Sequence, residues 1–489
     1  MSKIIGYLKS LDNELVAYIL IIFTISIWTY FSNYANPPYP FWDENYHVAS
    51  AQKYIDGIMF MEPHPPLGKM IIALGELIVN PNSGLDLTQL HSTDYIRNFP
   101  TGYSFAGVRL MPVLFAMFSS VIFFLILKEI AKNNHIAFLF TSLFLFSNAY
   151  IVHSRAAMLD SIQMFFIFVS IYLFIKYLEQ DFIKKYLYIG ISIGLAVAVK
   201  LNGLILILLF LPLLYMDKIN TKTDIKGFLK EVIIKGGLMV APIVIIFLSV
   251  FWLHFAIGKK MGFRLYFASK EYKEILQKGE TANIFNFPIM LRDNIKYMKI
   301  YNKNVPKFNP CKKGENGSFC LSWPFGNKSI NYRWLKKDGK VSYLYLQINP
   351  IIWLLGLIGI FFSFSLIISK WVFGLEIKDK RLYFLTIIFS FMYISYMIVM
   401  YNIPRVMYLY HYFIPLFFSL FLFFIIFNYI FKEEIKKRNR LFYTATILLV
   451  LEIIYTYNFF SPLTYYKPLN SYEFMMRSWF DFWHLTPIN

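Results

Sequence analysis

Two neighbouring carboxylates, Asp43 and Glu44, stand in the stretch Phe41-Trp-Asp-Glu-Asn-Tyr-His47 of a chain with only 29 acidic residues among 489. His64-Pro-Pro-Leu-Gly-Lys69 follows shortly after. Adjacent carboxylates repel, which raises the pKa of at least one unless a cation or hydrogen bonds compensate. A carboxylate tuned in this way suits a general base. The pair equally suits the start of a helix near Tyr46, where acids cap free amides. Taken alone, the pair leaves both readings open.

A second group of candidates is mainly charged. Arg109, Arg155, Asp160, Lys200, Arg405 and His411 lie within or beside apolar runs. A charge at mid-bilayer costs roughly 2.5–3.5 kcal/mol, so such residues are paired or functional. The competing reading is snorkelling to the interface, or a structural ion pair such as Arg155 with Asp160. Arg405 and His411 are the phosphate candidates, because a guanidinium fork matches phosphate oxygens, and Lys200 with Asn202 could join them. His64 is a candidate substrate hydrogen-bonder or a satisfied turn histidine. Trp42 and Trp323 could stack on sugar or peptide, or simply pack. Two carboxylates and a histidine also suit Mg²⁺ or Mn²⁺, although no metal or other cofactor is expected.

The elements that must hold these residues are membrane spans. The chain is 57% hydrophobic, 20% aromatic and 16% charged, whereas soluble domains average about 25% charged residues. Runs long enough to span fall near 14–32, 107–127, 136–152, 161–178, 187–200, 203–216, 232–252, 350–369, 382–401, 407–430 and 441–460. The fold class is therefore an all-α polytopic membrane protein of about eleven spans. A net charge of +19 does not point to nucleic acid, because the lysines cluster in short connections between apolar runs. Lys128, Lys132, Lys184, Lys185, Lys218 to Lys230, Lys378 to Arg381 and Lys432 to Arg440 share one side with Lys3 and Lys9, and that side is cytoplasmic. Lys3 and Lys9 precede an apolar run without a cleavage site, which reads as an uncleaved signal anchor.

Two long segments, 33–106 and 253–349, and the tail from Ser461 fall on the opposite, external face, and every candidate residue lands on that face or at its membrane border. The first segment carries two short amphipathic helices, with stripes Val48, Ala51, Ile55, Ile58 and Leu67, Met70, Ile71, Leu74, Ile78. Both are expected along the membrane surface, with Pro65 and Pro66 turning the chain between them. The second segment shows little periodicity. The chain divides into a catalytic membrane module (1–252), an external loop (253–349) and a C-terminal membrane module with external tail (350–489). Cys311 and Cys320 suit a local disulfide in an oxidising compartment, while their spacing also admits two thiols.

Asp-Glu followed by His-Pro-Pro-Leu-Gly-Lys resembles the first external loop of protein O-mannosyltransferases, members of the C-type glycosyltransferase superfamily. Further similar motifs follow in the family's order. They are Gly107-Val-Arg109-Leu-Met-Pro112, Ser154-Arg155-Ala-Ala-Met-Leu-Asp160, Gly194 to Gly203 around Lys200, Trp323-Pro324, Asn349-Pro350-Ile-Ile-Trp353 and Arg405 to Pro415. The resemblance implies the C-type glycosyltransferase fold and inverting transfer of mannose from a polyprenyl-phosphate-mannose to Ser or Thr hydroxyls of exported proteins. It implies Asp43 as base, with Glu44 orienting the acceptor or the surroundings of Asp43. Segment 253–349 is too short for the sugar-binding-like domain of eukaryotic members. That suggests a prokaryotic form in the cytoplasmic membrane, with an external active site and C-terminus. Transfer to a lipid or glycan acceptor, as in enzymes that place aminoarabinose on lipid A, is the alternative. A transporter fits less well, because no paired halves with broken helices are visible.

Overall fold

The computed structural model describes residues 13–220, 224–262, 265–312 and 314–488. Its apolar runs are helical because, away from water, intrahelical bonds are what satisfies each backbone amide. The N-terminal part contains α1 (Asn13–Ser26), continued by a π turn (Ile27–Phe31), then α2 (Glu44–Asp56), α3 (Leu67–Val79) and α4 (Ala106–Ala131). Next come α5 (Asn134–Phe140), α6 (Ser142–Leu145), α7 (Asn148–Ser154), α8 (Asp160–Tyr177) and α9 (Lys184–Val199). A 3-10 stretch (Leu201–Leu209) leads into α10 (Phe210–Asn220), followed by α11 (Ile225–Ile257), α12 (Lys270–Gln277) and α13 (Phe287–Asn304). After a β-hairpin come α14 (Pro350–Phe373), α15 (Lys380–Tyr401), a 3-10 turn (Leu409–Tyr412), α16 (Phe413–Ile430), α17 (Lys432–Lys436), α18 (Arg440–Thr464) and α19 (Ser471–Met475).

Nine described helical stretches are long and apolar enough to cross a membrane. A bent pair, Asn134–Leu145 with Asn148–Ser154, turns by 63° at its break. Each expected span thus has a helical counterpart, but the third is broken and the fifth, α9, has only 16 residues. Lys3 and Lys9 lie outside the described residues.

The short lysine-bearing turns gather at one end of the bundle. There Arg381 donates to the carbonyls of Glu129 and Ile130, and Lys432 pairs with Asp379 at 2.6 Å. α16 runs buried through the centre, where Phe123, Phe144, Phe168, Phe417 and Phe421 meet mostly edge to face or tilted.

At the other end the two long segments and the tail form one cap. Strands β1 (Ile330–Lys337) and β2 (Lys340–Leu346) pair antiparallel, and β3 (Pro468–Leu469) adds from the tail. Asp338 and Gly339 both have positive φ, 51° and 72°, which is the twist a two-residue hairpin requires. The sheet is a departure from the all-helical expectation. Its Asp-Gly turn was a readable signal in a segment that otherwise looked irregular. Asn294 of α13 clamps residue 62 by donating to the Glu62 carbonyl and accepting from its amide, and Arg333 of β1 donates to the Pro40 carbonyl.

The two helices expected along the membrane surface are α2 and α3, but α2 is instead buried along most of its length, from Glu44 to Tyr54 with Tyr46 exposed. α3 packs so closely on α4 that a Cβ on Gly75 would lie 2.6 Å from the Gly107 carbonyl oxygen. Its other face leaves Leu74, Leu77 and Ile78 exposed. The expected disulfide is not formed. Cys311 is an exposed thiol in a turn, whereas Cys320 is a buried thiol that opens a 3-10 helix packed in the core.

Candidate active site

Asp43 sits at the N-cap position of α2, yet its side chain makes no capping hydrogen bond. Trp42 before it holds φ at 55°, a left-handed conformation that is costly for a bulky residue. The two carboxylates go to different places. Asp43 lines a cavity of about 850 Å³ between the bundle and the cap, and Glu44 is fully buried elsewhere.

Glu44 therefore does not line the cavity, so of its two expected roles the geometry leaves that of ordering the surroundings of Asp43 and not that of touching the acceptor. Arg109 grips it with two donors, Nε to Oε1 at 2.7 Å and Nη2 to Oε2 at 2.8 Å. The amides of Phe41 and Ala157 donate to the same two oxygens. The remaining Arg109 donors reach the carbonyls of Ala35, Pro37 and Tyr39, and the rings of Phe41 and Phe105 flank its guanidinium. Arg109 is thus also absent from the cavity wall. A pair this buried holds only because both partners are saturated. It fastens the loop before Asp43 to α4.

Arg155 is likewise structural. It donates to the carbonyls of Tyr30, Ser32 and Asn33 at the end of the first span, where unpaired carbonyls and the helix dipole favour a cation. The Arg155–Asp160 pair weighed above does not form. Asp160, at the start of α8, instead accepts from Lys200 Nζ at 2.8 Å and contacts His153 Nε2 at 3.1 Å. His153 in turn meets the Tyr332 hydroxyl at 2.7 Å through Nδ1.

Asp43, His64, Asp160, Lys200, Asn202, Arg405 and His411 all line the one cavity. Asn202 is braced by Gln163 and Tyr396. His411 is held through Nδ1 by the backbone of Tyr408 and stacks on Tyr410 at 4.4 Å between ring centres. Arg405 differs from Lys200 and Lys69: among the described residues its guanidinium has no hydrogen bond or ion pair, and of the other lining cations the exposed Lys312 shares this. Lys200 is occupied by Asp160, and Lys69 by Glu62 at 2.7 Å.

The electrostatics follow from this arrangement. Burial pushes the Asp43 carboxyl up to about 6, against the pull of Lys200, His153 and Arg405. Burial, with Lys200, Lys69 and Arg405, holds His64 well below the ordinary histidine value, so its ring is neutral. The same is true of His47, where Lys69 and His64 add to burial. Among the described residues no group of three or more His, Cys, Asp or Glu side chains gathers as a metal-ligand set.

Sequence reasoning missed His47, His153 and Lys69 as cavity residues. His47 follows Asp43 by four positions, one helical turn on the same face, and that spacing could have found it. His153 carries no comparable signal. Trp323 is fully buried with its indole donating to Ser318 Oγ, and Trp42 packs among Tyr332, Tyr408 and Tyr410. Both tryptophans pack and neither lines the cavity.

The family model for dolichyl-phosphate-mannose-protein mannosyltransferase matches residues 20–266, half of the chain. The chain belongs to this family. A second model, the C-terminal four-span region of protein O-mannosyltransferase, matches residues 290–483. Among curated relatives, dolichyl-phosphate-mannose--protein mannosyltransferase 1 of Candida albicans is 28% identical over 52% of this chain and 29% of its own length. Protein O-mannosyl-transferase 2 of Danio rerio is 25% identical over 52% of this chain and 34% of its own. The chain thus spans about a third of the length of these relatives. Among solved structures, the S. cerevisiae protein O-mannosyltransferase Pmt1-Pmt2 complex bound to the sugar donor aligns over 97% of this chain and 93% of that one. Its TM-score is 0.79 at 16% identity. The archaeal oligosaccharyltransferase AglB from Archaeoglobus fulgidus aligns with a TM-score of 0.52 at 10% identity. Both likenesses concern the fold, which is that of the C-type glycosyltransferases.

Proposed function

We propose that this chain is an inverting glycosyltransferase that moves mannose from a polyprenyl-phosphate-mannose donor to Ser or Thr hydroxyls of exported proteins. One observation carries the reading: the unpaired carboxylate of Asp43 and the unpaired guanidinium of Arg405 open into the same cavity. Asp43 takes the proton of the acceptor hydroxyl as its oxygen bonds to the anomeric carbon. The bond from that carbon to the phosphate oxygen breaks, and the polyprenyl phosphate leaves with the electron pair. Attack opposite the leaving group inverts the centre, as for a base placed across the ring from the departing oxygen. Arg405 receives the phosphate with its planar fork, and Lys200, kept in place by Asp160, adds charge beside it. The chain's own cations thus supply the charge at the leaving group. The neutral ring of His64 and the ring of His411 offer hydrogen bonds to sugar hydroxyls.

The membership of the family and the sugar-donor-bound complex of similar fold support the mannosyl donor. The lysine-bearing turns at the opposite end support a cytoplasmic N-terminus and an external site, and the short segment 253–349 supports a prokaryotic cytoplasmic membrane. The test is incubation of the purified chain in vesicles with radiolabelled polyprenyl-phosphate-mannose and a Ser/Thr-containing peptide. Label should appear on the peptide and be released by β-elimination. Label that stays on lipid, with active donor and intact protein, overturns the proposal.

A further inference from the structure

The turn that joins α12 to α13 carries an unusual load. Ile284 is 61% exposed and Phe285 is 85% exposed, the largest value among the exposed large apolar residues of the described chain. An aromatic ring left in water this completely forfeits about 1.5–3 kcal/mol that burial would supply. The turn is nevertheless well built. Phe285 N donates to Asn283 Oδ1, and the amides of Asn283, Asn286 and Phe287 donate to the carbonyls of Glu280, Asn283 and Ile284. Most of its amides are therefore paired within the turn.

Its position explains the load. Trp252 of α11 donates its indole N–H to the Ala282 carbonyl at 3.0 Å. Trp252 belongs to a stripe, Ile245, Leu248 and Trp252, that is exposed on a membrane-spanning helix at i, i+3 and i+7, so the stripe faces lipid. Five residues separate Trp252 from the helix end at Ile257, about 7.5 Å at 1.5 Å per residue. Exposed Lys259 and Lys260 follow that end. The hydrogen bond thus draws the tip of the turn below the level of the lysines and against a lipid-facing surface, at the depth where tryptophans concentrate.

We infer that the turn Ala282–Asn286 is a membrane anchor, with Ile284 and Phe285 inserted into the lipid leaflet on the side of the cavity. The occupant is lipid because the turn continues the lipid-facing stripe of α11 and pairs most of its own backbone amides, as non-helical chain at that depth requires. The anchor has a structural consequence. α13 starts directly after it and supplies Tyr297, Ile300 and Tyr301 to the cavity wall, while Asn294 clamps the residue two positions before His64. One wall of the site is therefore seated on the bilayer surface.

The experiment uses the full chain with Cys311→Ser and Cys320→Ala, reconstituted in phosphatidylcholine–phosphatidylglycerol vesicles. A nitroxide is attached at Phe285→Cys, at Ile284→Cys or, as a water-exposed reference, at Asp338→Cys in the hairpin turn. Collision with oxygen, which dissolves in lipid, is compared with collision with a water-soluble nickel chelate. Oxygen should dominate at 284 and 285, and the chelate at 338. Chelate access at 285 equal to that at 338 overturns the anchor. Adding Phe285→Asp should shift the label at 284 towards chelate access; no shift would show that Phe285 does not hold the turn in lipid and would overturn the inference as well.

Discussion

At the residue scale, the proposed chemistry turns on protonation of Asp43. A carboxyl held near 6 by burial is largely ionised at neutral pH and still basic enough to take a hydroxyl proton in the transition state. Because its pKa is raised, the competent base form is lost as pH falls. Turnover should climb with pH through about 6, with only about a tenth of the sites competent one unit below. The rising limb, read from initial rates with saturating donor, should disappear in Asp43→Asn; an unchanged limb would assign it to another group. Arg405 makes a separate prediction. Arg405→Lys keeps the charge but loses the fork, so donor KM should rise on the order of tenfold while acceptor KM holds, the size of a charged hydrogen bond. Unchanged donor kinetics would move the phosphate elsewhere, with Lys200 the next candidate.

At the scale of elements, segment 33–106 is held because Glu44 and Arg109 pin it. Removing one partner of a buried pair costs roughly 3–5 kcal/mol. Arg109→Met should therefore lower the temperature at which purified protein loses monodispersity, without a specific rise in donor KM. A variant of normal stability and weak donor binding would return Arg109 to the substrate machinery. This pair also marks where the sequence stops being legible. The acids, the His-Pro-Pro turn, Arg405 and the spans are readable because each carries a local pattern. Which carboxylate faces the cavity is set by Arg109, 65 positions away, and by the left-handed Trp42. Arg155 resembled a site arginine for a related reason: its partners are backbone carbonyls, which no side-chain pattern announces. The disulfide expectation failed because proximity in sequence says nothing of burial, and Cys320 faces the core. The hairpin, by contrast, is signalled locally by Asp338-Gly339 within alternating apolar residues.

At the scale of the whole molecule, the candidate site and the lysine-bearing turns occupy opposite ends of one bundle. Three membrane-crossing helices, α14, α15 and α16, separate the hairpin from α17. Single cysteines at Asp338 and Lys436 should accordingly be labelled by an impermeant maleimide from opposite sides of the membrane, with Lys436 cytoplasmic. Labelling of both from one side would break the topology. The proposed site would lie at a membrane surface, beneath the cap and beside the turn that we infer to be anchored at Phe285. A lipid-borne donor and a protein acceptor would meet there without either crossing the bilayer.

The most direct measurement is the turnover of purified Asp43→Asn in vesicles, with saturating polyprenyl-phosphate-mannose and a Ser/Thr peptide. Asn preserves the shape of Asp and caps helices about as well, and the native side chain makes no cap bond to lose. Fold and donor binding should therefore persist while turnover falls by about 10²–10⁴-fold, the usual contribution of a general base. Turnover near that of the unmodified chain would contradict the assignment of Asp43 as the base.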